Sequence, residues 1–326
     1  MKHIVNKNLK LLIILFSISM YSQSETHIFQ SHMLDINNPA FIGLNEQSHI
    51  TVLSSQSYDL QNKSISNFNF FGSLLFEDYN FFLGLNLSSK YFSKIGIGNV
   101  NSNISYTHRI NINNSYKIYP YVSVNYSIPT KFSNLIFEDQ IISGLPSIDE
   151  LANNYKSKGY VDFNAGFVLK NEKYFIGIAI NNLRQANTSS DNENTVRISR
   201  NGDFSLGYQK EFNSFGIFLM GSYFYRPSIK SNFTFSSYRF DEEINLNNIS
   251  FNIFQEFWSN SFESGIKNLG LSIRSNFNNF DIGVGYKSPI GKKTINNENT
   301  FEVFIKYNFE ILNFDTFLKW ESMSFF

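Results

Sequence analysis

Apolar residues alternate with polar or small ones at every second position through segment after segment of this chain, and that period restricts the fold more than any other feature. In Phe81–Ser88, the residues Phe81, Leu83, Leu85 and Leu87 share one side, with Phe82, Gly84, Asn86 and Ser88 on the other. In Tyr116–Ile128, one face is Tyr116, Ile118, Pro120, Val122, Val124, Tyr126 and Ile128, and the other ends in Tyr121, Ser123, Asn125 and Ser127. Val161, Phe163, Ala165, Phe167 and Leu169 oppose Asp162, Asn164, Gly166, Val168 and Lys170. After a short turn at Asn171-Glu172-Lys173, Tyr174, Ile176, Ile178 and Ile180 oppose Phe175, Gly177, Ala179 and Asn181. Phe280, Ile282, Val284 and Tyr286 oppose Asp281, Gly283, Gly285 and Lys287; Phe301, Val303, Ile305, Tyr307 and Phe309 oppose Glu302, Phe304, Lys306 and Asn308. Successive strand side chains point to opposite faces, so each segment reads as a strand with one apolar face.

A soluble β-sandwich shows the same alternation. Three details favour an antiparallel transmembrane β-barrel. The strands are longer than those of soluble sheets and suit a tilted bilayer crossing. Aromatic residues recur near strand ends, at Tyr116, Tyr126, Tyr174, Tyr286 and Trp320, where an interfacial girdle belongs. The second face carries Gly, Ser, Asn and Lys, which suits a lumen. The N-terminus agrees: basic Lys2, Lys7 and Lys10 precede the apolar run Leu11–Met20 and the small or polar residues Ser22, Gln23 and Ser24, the layout of a secretory signal. That run is far short of the ~20 residues that span a bilayer as a helix. No later stretch is apolar enough for a helical span, so a barrel is the remaining way to cross. The reading is a signal over 1–23 and one all-β barrel over 24–326, with about 14 strands at roughly 20 residues per strand and connection.

Phe (36), Tyr (18) and Trp (2) with only 17% charged residues exclude a disordered chain. Basic and acidic residues balance at 27 each, which gives no reason to expect nucleic acid. Loss of three lysines with the signal leaves the rest mildly acidic. There is no cysteine, hence no disulfide, thiolate site or cysteine nucleophile. His27 and His32 lack zinc spacing and a shared helical face, and each reads as a lone polar residue. No GxSxG elbow is present. Gly285…Gly291-Lys292-Lys293-Thr294 has the wrong glycine spacing for a P-loop. No catalytic residue, cofactor or metal site is expected. Asp241-Glu242-Glu243 lacks EF-hand spacing and reads as a solvated turn. Ser147-Ile148-Asp149-Glu150 has capping-box spacing, so a short helix over about 147–155 is expected, in an ordinary surface loop, as a plug or as a partner contact.

His32–Gly43 (HMLDINNPAFIG) carries Asn38, Pro39, Ala40 and Gly43 shortly after the signal. Asp162, Phe163 and Gly166 are followed by Lys173-Tyr174-Phe175-Ile176-Gly177-Ile178 and by Asn181-Asn182-Leu183. These two segments resemble the opening motif and a central hairpin of the PorP/SprF family of Bacteroidota outer-membrane proteins. The opening motif departs in its first half, where Asp35-Ile36 stands in place of an Asn-Pro. Weaker similarity runs through Gly270-Leu271, Asp281–Tyr286 and Phe301–Phe309. Family members commonly end on a strand like Phe301–Phe309; here the chain continues through Phe314–Phe326, either an appendage or, the favoured reading, the closing strand with Phe326 as its terminal aromatic.

The resemblance implies outer-membrane localisation and a part in type IX secretion, including surface display of gliding adhesins. It also implies contact with outer-membrane lipid and with the C-terminal domain of a secreted adhesin or a periplasmic peptidoglycan-associated lipoprotein. Asn38, Pro39, Ala40, Gly43, Asp162, Phe163, Gly166, Gly177 and Asn181 are the family-motif residues, structural or docking in role. The alternatives are a porin or FadL-like channel for small solutes, suggested by the polar inner face, and an outer-membrane enzyme, which needs a cluster of His or carboxylates at one rim. Phe82, Tyr121, Phe175 and Phe304 interrupt the polar faces and favour a filled lumen over an open one.

Overall fold

The alternating segments become the strands of one sheet in a computed structural model that describes residues 27–58, 63–92, 97–130, 159–188, 197–212, 215–227, 234–260, 264–290 and 299–310. In chain order they are β1 (Ser48–Tyr58), β2 (Lys63–Phe76), β3 (Phe81–Phe92), β4 (Ile97–His108), β5 (Ile110–Asn111), β6 (Lys117–Thr130), β7 (Tyr160–Lys170) and β8 (Tyr174–Asn181). They continue with β9 (Asn201–Glu211), β10 (Gly216–Pro227), β11 (Thr234–Leu246), β12 (Ile249–Asn260), β13 (Ser264–Phe277), β14 (Phe280–Ile290) and β15 (Asn299–Phe309). Neighbours in sequence pair antiparallel, β4 and its short continuation β5 both pair with β6, and β1 pairs with β15 from Ser48↔Phe309 to Tyr58↔Asn299. The sheet therefore closes on itself, and among the described residues it is a barrel of fourteen long strands with β5 as an appendix to β4. Closure leaves no unpaired edge, which is what a hydrocarbon environment demands of a sheet.

The full-length pairing of β1 with β15 corrects the expectation that Phe314–Phe326 closes the barrel. Asn299–Phe309 already offers β1 a complete register, so the ring has no place for another strand. Trp320 and the expected helix over 147–155 lie outside the described residues.

One rim is made of tight turns. Asn80, Asn247 and Asn278 occupy left-handed conformations there, with φ of 55°, 53° and 56°, the region asparagine tolerates best after glycine. At Asn171 the side chain itself accepts the amides of Lys173 and Tyr174, at 2.8 and 2.7 Å, and so makes the expected β7–β8 turn. The opposite rim carries longer connections, the longest running from Thr130 to Tyr160.

The predicted faces hold in every segment described above. Leu83, Leu85 and Leu87 stand on the outer wall, as do Ile176, Ile178 and Ile180, whereas Phe82, Tyr121, Phe175 and Phe304 are buried inside. Tyr116, Tyr126, Tyr174 and Tyr286 are exposed on the outside. Inside, residues 27–47 fold back into the lumen as a 3-10 turn (Gln30–His32), a single helical turn (Leu34–Asn37) and a second 3-10 turn (Pro39–Leu44). Pro39 suits the first position of such a turn, and Asn38 caps it by accepting the Ala40 amide at 3.1 Å. This plug packs into two apolar clusters on different walls. One joins Leu34, Phe41 and Ile42 to Phe82, Tyr119, Phe175 and Phe218; the other joins Ile28, Phe29 and Met33 to Leu53, Phe254 and Phe304. The apolar core of the protein is thus in the lumen.

Asp241-Glu242-Glu243 is not a turn. It lies within β11, where the period of two sends Asp241 and Glu243 into the lumen and Glu242 outward. A triple acid reads as solvated only if its partners are unknown; Asp241 pairs with Arg239 on the same strand, and the partners of Glu243 come from β13 and from the plug.

Candidate functional site

The lumen is not empty, and its inner faces are cut to fit the plug. Gly177 and Gly283 leave room for the rings of Phe41 and Phe29; a methyl group at either would run into them. Gly285 does the same for Ile28, and Gly43 lies flat against the ring of Tyr119. Phe29 packs on Phe304 with ring centres 4.4 Å apart, and Phe41 meets Phe175 edge-on at 5.5 Å. Such aromatic pairs add roughly 0.5–1.5 kcal/mol each beyond burial.

Polar anchors lie beside the apolar ones. Arg239 makes a two-pronged pair with Asp241, at 2.6 and 2.8 Å. It also donates to the carbonyls of His27 and of Ile28, the latter at 2.7 Å. Its guanidinium lies 3.7 Å from the centre of the Phe254 ring. Glu302 accepts the Phe29 amide at 3.0 Å and faces His27 Nδ1 at 3.2 Å. His32 Nε2 sits 2.7 Å from Glu243, which Arg274 also approaches at 3.2 Å; Arg274 reaches on to Asp281 at 3.3 Å. His49 Nε2 is 2.8 Å from Asp35. His27 and His32 are therefore not lone polar residues: each is a plug group held by a carboxylate of the barrel wall. Each of these four carboxylates, Asp35, Asp241, Glu243 and Glu302, faces a basic group, as the cost of burying an unpaired charge requires.

At the turn rim the plug ends in a latch. Glu46 receives Lys117 at 2.7 Å, Tyr119 at 2.5 Å, Lys170 at 3.0 Å and Arg109 at 3.2 Å. Lys170 also donates to the carbonyls of Gly43 and Leu44, at 2.6 and 3.0 Å. Burial pushes the Glu46 carboxyl up, but the hydrogen bonds from Lys117 and Tyr119 and the charge of Lys170 outweigh it, and the group is held at about 2 against an ordinary 4.5. Its backbone has a φ of 50°, a left-handed conformation that disfavours a side chain and that the latch holds in place.

Toward the loop rim the plug stops and a vestibule of about 910 Å³ opens above it. His27, Gln30 and Pro39 form part of its floor, and its walls are rich in asparagine and serine, including Asn86, Ser88 and Asn101.

The family-motif residues do not form one cluster. Asn38, Pro39, Ala40, Gly43 and Gly177 meet in the plugged half, where the Pro39 carbonyl accepts from Thr107 at 3.3 Å. Gly166 lies under Tyr121 and against the β8 backbone. Asp162 is fully buried and accepts the amides of Arg184 and Ala186, at 2.8 and 3.0 Å, which pins the chain leaving β8. Asn181 donates to Asp203 at 2.8 Å on the vestibule wall. Phe163 points out of the barrel. Sequence reading missed Arg239, Glu243, Glu302 and the Glu46 latch. The inner-face positions of β11 and β15 were available to it, but their plug partners were not. Among the described residues no three His, Asp or Glu side chains come together as a metal site.

A closed antiparallel barrel, apolar outside and plugged from within by its own N-terminal segment, defines the class: an outer-membrane-type β-barrel. Residues 26–307 match the family model described as "Type IX secretion system membrane protein PorP/SprF", and the chain belongs to that family. No curated protein matches it in sequence. Among solved structures it is similar to a deltaS2 mutant of the monoaromatic hydrocarbon channel TodX, at 9% identity and a TM-score of 0.50, covering 85% of this chain and 94% of that one. It is also similar to the outer membrane protein Omp33 of Acinetobacter baumannii, at 9% identity and a TM-score of 0.46, covering 81% and 98%. CdiB from Acinetobacter baumannii matches at 12% identity and a TM-score of 0.47 over 81% of this chain, which spans 60% of the length of CdiB. At such identities the likeness concerns the fold alone.

Proposed function

We propose that this protein is a non-enzymatic docking component of type IX secretion in the outer membrane, assisting export and surface display of secreted proteins such as gliding adhesins. The observation that carries the reading is the plug. A lumen filled by residues 27–47 and tied by Arg239, Glu302, Glu243 and the Glu46 latch is built to stay occupied, whereas a channel needs a connected aqueous path. In this reading residues 1–23 are removed on export and residues 24–326 form the mature barrel. The turn rim faces the periplasm and the loop rim the cell exterior, following the usual disposition of short turns and long loops. The partner in this reading is a periplasmic peptidoglycan-associated lipoprotein at the turn rim or the C-terminal domain of a secreted adhesin as cargo.

The test is recovery of the tagged full chain from solubilised outer membranes, with mass spectrometry of co-purifying proteins and conductance recording on the same preparation in planar bilayers. Recovery of a C-terminal-domain adhesin or the lipoprotein from a preparation that stays closed supports docking. The vestibule favours the second reading, a channel for small solutes. Steady conductance with no partner above background would decide for it.

A further inference from the structure

The outer wall of the barrel is largely apolar, with a few small hydroxyls such as Ser54, and at mid-strand it carries a carboxylate that the docking reading does not use. In β11 the outward positions run Tyr238, Phe240, Glu242, Ile244, Leu246 from loop side to turn side, so Glu242 lies in the middle of the series. Its cross-strand neighbours are Leu219 on β10 and Ile253 on β12. Leu219, Ile253 and Ile244 are all widely exposed on the outer wall, at 43%, 48% and 50%. Glu242 is exposed too and has no hydrogen-bond or ion-pair partner among the described residues. Gln255, the partner of Phe240, is exposed diagonally beside it. A carboxylate ringed by lipid-facing leucine and isoleucine meets no donor in hydrocarbon, and such residues are costly and mark function.

We infer that the β10–β12 face around Glu242 is an interface within the membrane for a second membrane protein, distinct from this chain, which presents a lysine or arginine on its own lipid-facing surface at the same depth. Charge complementarity selects this occupant. Lipid offers only hydrocarbon at that depth, and its charged headgroups lie at the edge, away from a mid-strand carboxylate. A second copy of this chain fits no better. A two-fold contact through the face sets Glu242 against Glu242. The lysine on the outer face of a strand nearest this region, Lys210, sits one residue from the end of β9 with its ammonium 4.5 Å from the centre of the Phe212 ring. The exposed Lys173 lies in the β7–β8 turn, so both are at the rim and away from the depth of Glu242. A cationic partner pairs with Glu242 and hydrogen-bonds with Gln255, while the surrounding leucine and isoleucine exclude water from the pair.

The inference requires only that the outer wall meets lipid, so it stands or falls apart from the secretion reading. The experiment places a photo-crosslinking residue at Ile244, or at Ile178 on another part of the wall, in the full chain in its native outer membrane. Each is made with and without Glu242→Leu. The expected result is an adduct from position 244 and none from 178, mapping to a membrane-embedded segment with a Lys or Arg. Its yield falls at least tenfold in Glu242→Leu, while the same substitution raises the urea midpoint of the isolated barrel. Lipid adducts alone, an adduct to a second copy, or a protein adduct indifferent to Glu242→Leu would each overturn the proposal.

Discussion

The same strands line both halves of the lumen, and their inner faces change character along their length. From the turn rim upward, β6 carries Tyr119 and Tyr121, then Ser123, Asn125 and Ser127; β3 carries Phe82, then Asn86 and Ser88; β8 carries Phe175, then Asn181. The change comes where the plug ends. Below it, large rings and paired charges meet a partner from the same chain; above it, amides and hydroxyls face the vestibule. The difference teaches that the alternation sets which way a side chain points, while the type of inward residue records whether it meets protein or solvent. The plugged half should behave as a protein core and the vestibule as a surface.

The largest expected effect tests the core-like half. Arg239 is 1% exposed and holds Asp241 and two plug carbonyls at once. Arg239→Ala leaves a buried carboxylate unpaired and should cost about 3–5 kcal/mol in urea unfolding of the lipid-reconstituted protein. A loss below about 1 kcal/mol would mean that water reaches Asp241 and that the plug is loosely held.

Next comes the contrast between the two sides of the wall. Leu85 faces out and the adjacent Asn86 lines the vestibule. Leu85→Arg should cost roughly 2–4 kcal/mol if it lies near the midplane, and Asn86→Arg should be tolerated. Equal tolerance in the same unfolding assay would break the register of β3.

The latch should give a smaller, pH-dependent effect. The Glu46 carboxyl is depressed to about 2 from 4.5, so its contribution is fully present above about 4.5 and is lost as the pH falls toward 2. Glu46→Gln should therefore cost roughly 1–2 kcal/mol at neutral pH, a value reduced by solvent at the rim, and nothing near pH 2. The measurement is the stability difference between the two proteins across that range; a constant difference would mean that the latch acts through shape alone.

Most of the barrel was legible because its cause is local. Phe163 and Asp162 must diverge whatever else the chain does, and the inward aromatics Phe82, Tyr121, Phe175 and Phe304 were anomalies that pointed to a filled lumen. What filled it was not legible. Residues 27–47 have no strong period, and their turns are fixed by contacts to β6, β8, β11 and β15 that no sequence window contains. The acidic triplet in β11 failed in part for the same reason: Glu243 is tolerable inside only because Arg274 and His32 arrive from β13 and the plug, although Asp241 has its partner Arg239 two residues away on the same face of β11. Asn38-Pro39-Ala40 was found by resemblance, and its place beneath the vestibule emerged only from the fold.

The smallest effect is expected where the comparison is most easily broken. Asn101 lines the vestibule; its amide reaches Ser88 at 3.3 Å and its carbonyl receives Asn99 at 3.5 Å, both long contacts. Water in a cavity of this size can replace both partners, so truncation leaves no group unsatisfied. Asn101→Ala should stay within about 0.5 kcal/mol of the parent, as surface substitutions do. A loss of 2 kcal/mol or more would show that the amides form a closed network and not a solvated lining. The two halves of the lumen would then be two kinds of core, one apolar and charged, the other a lattice of amides.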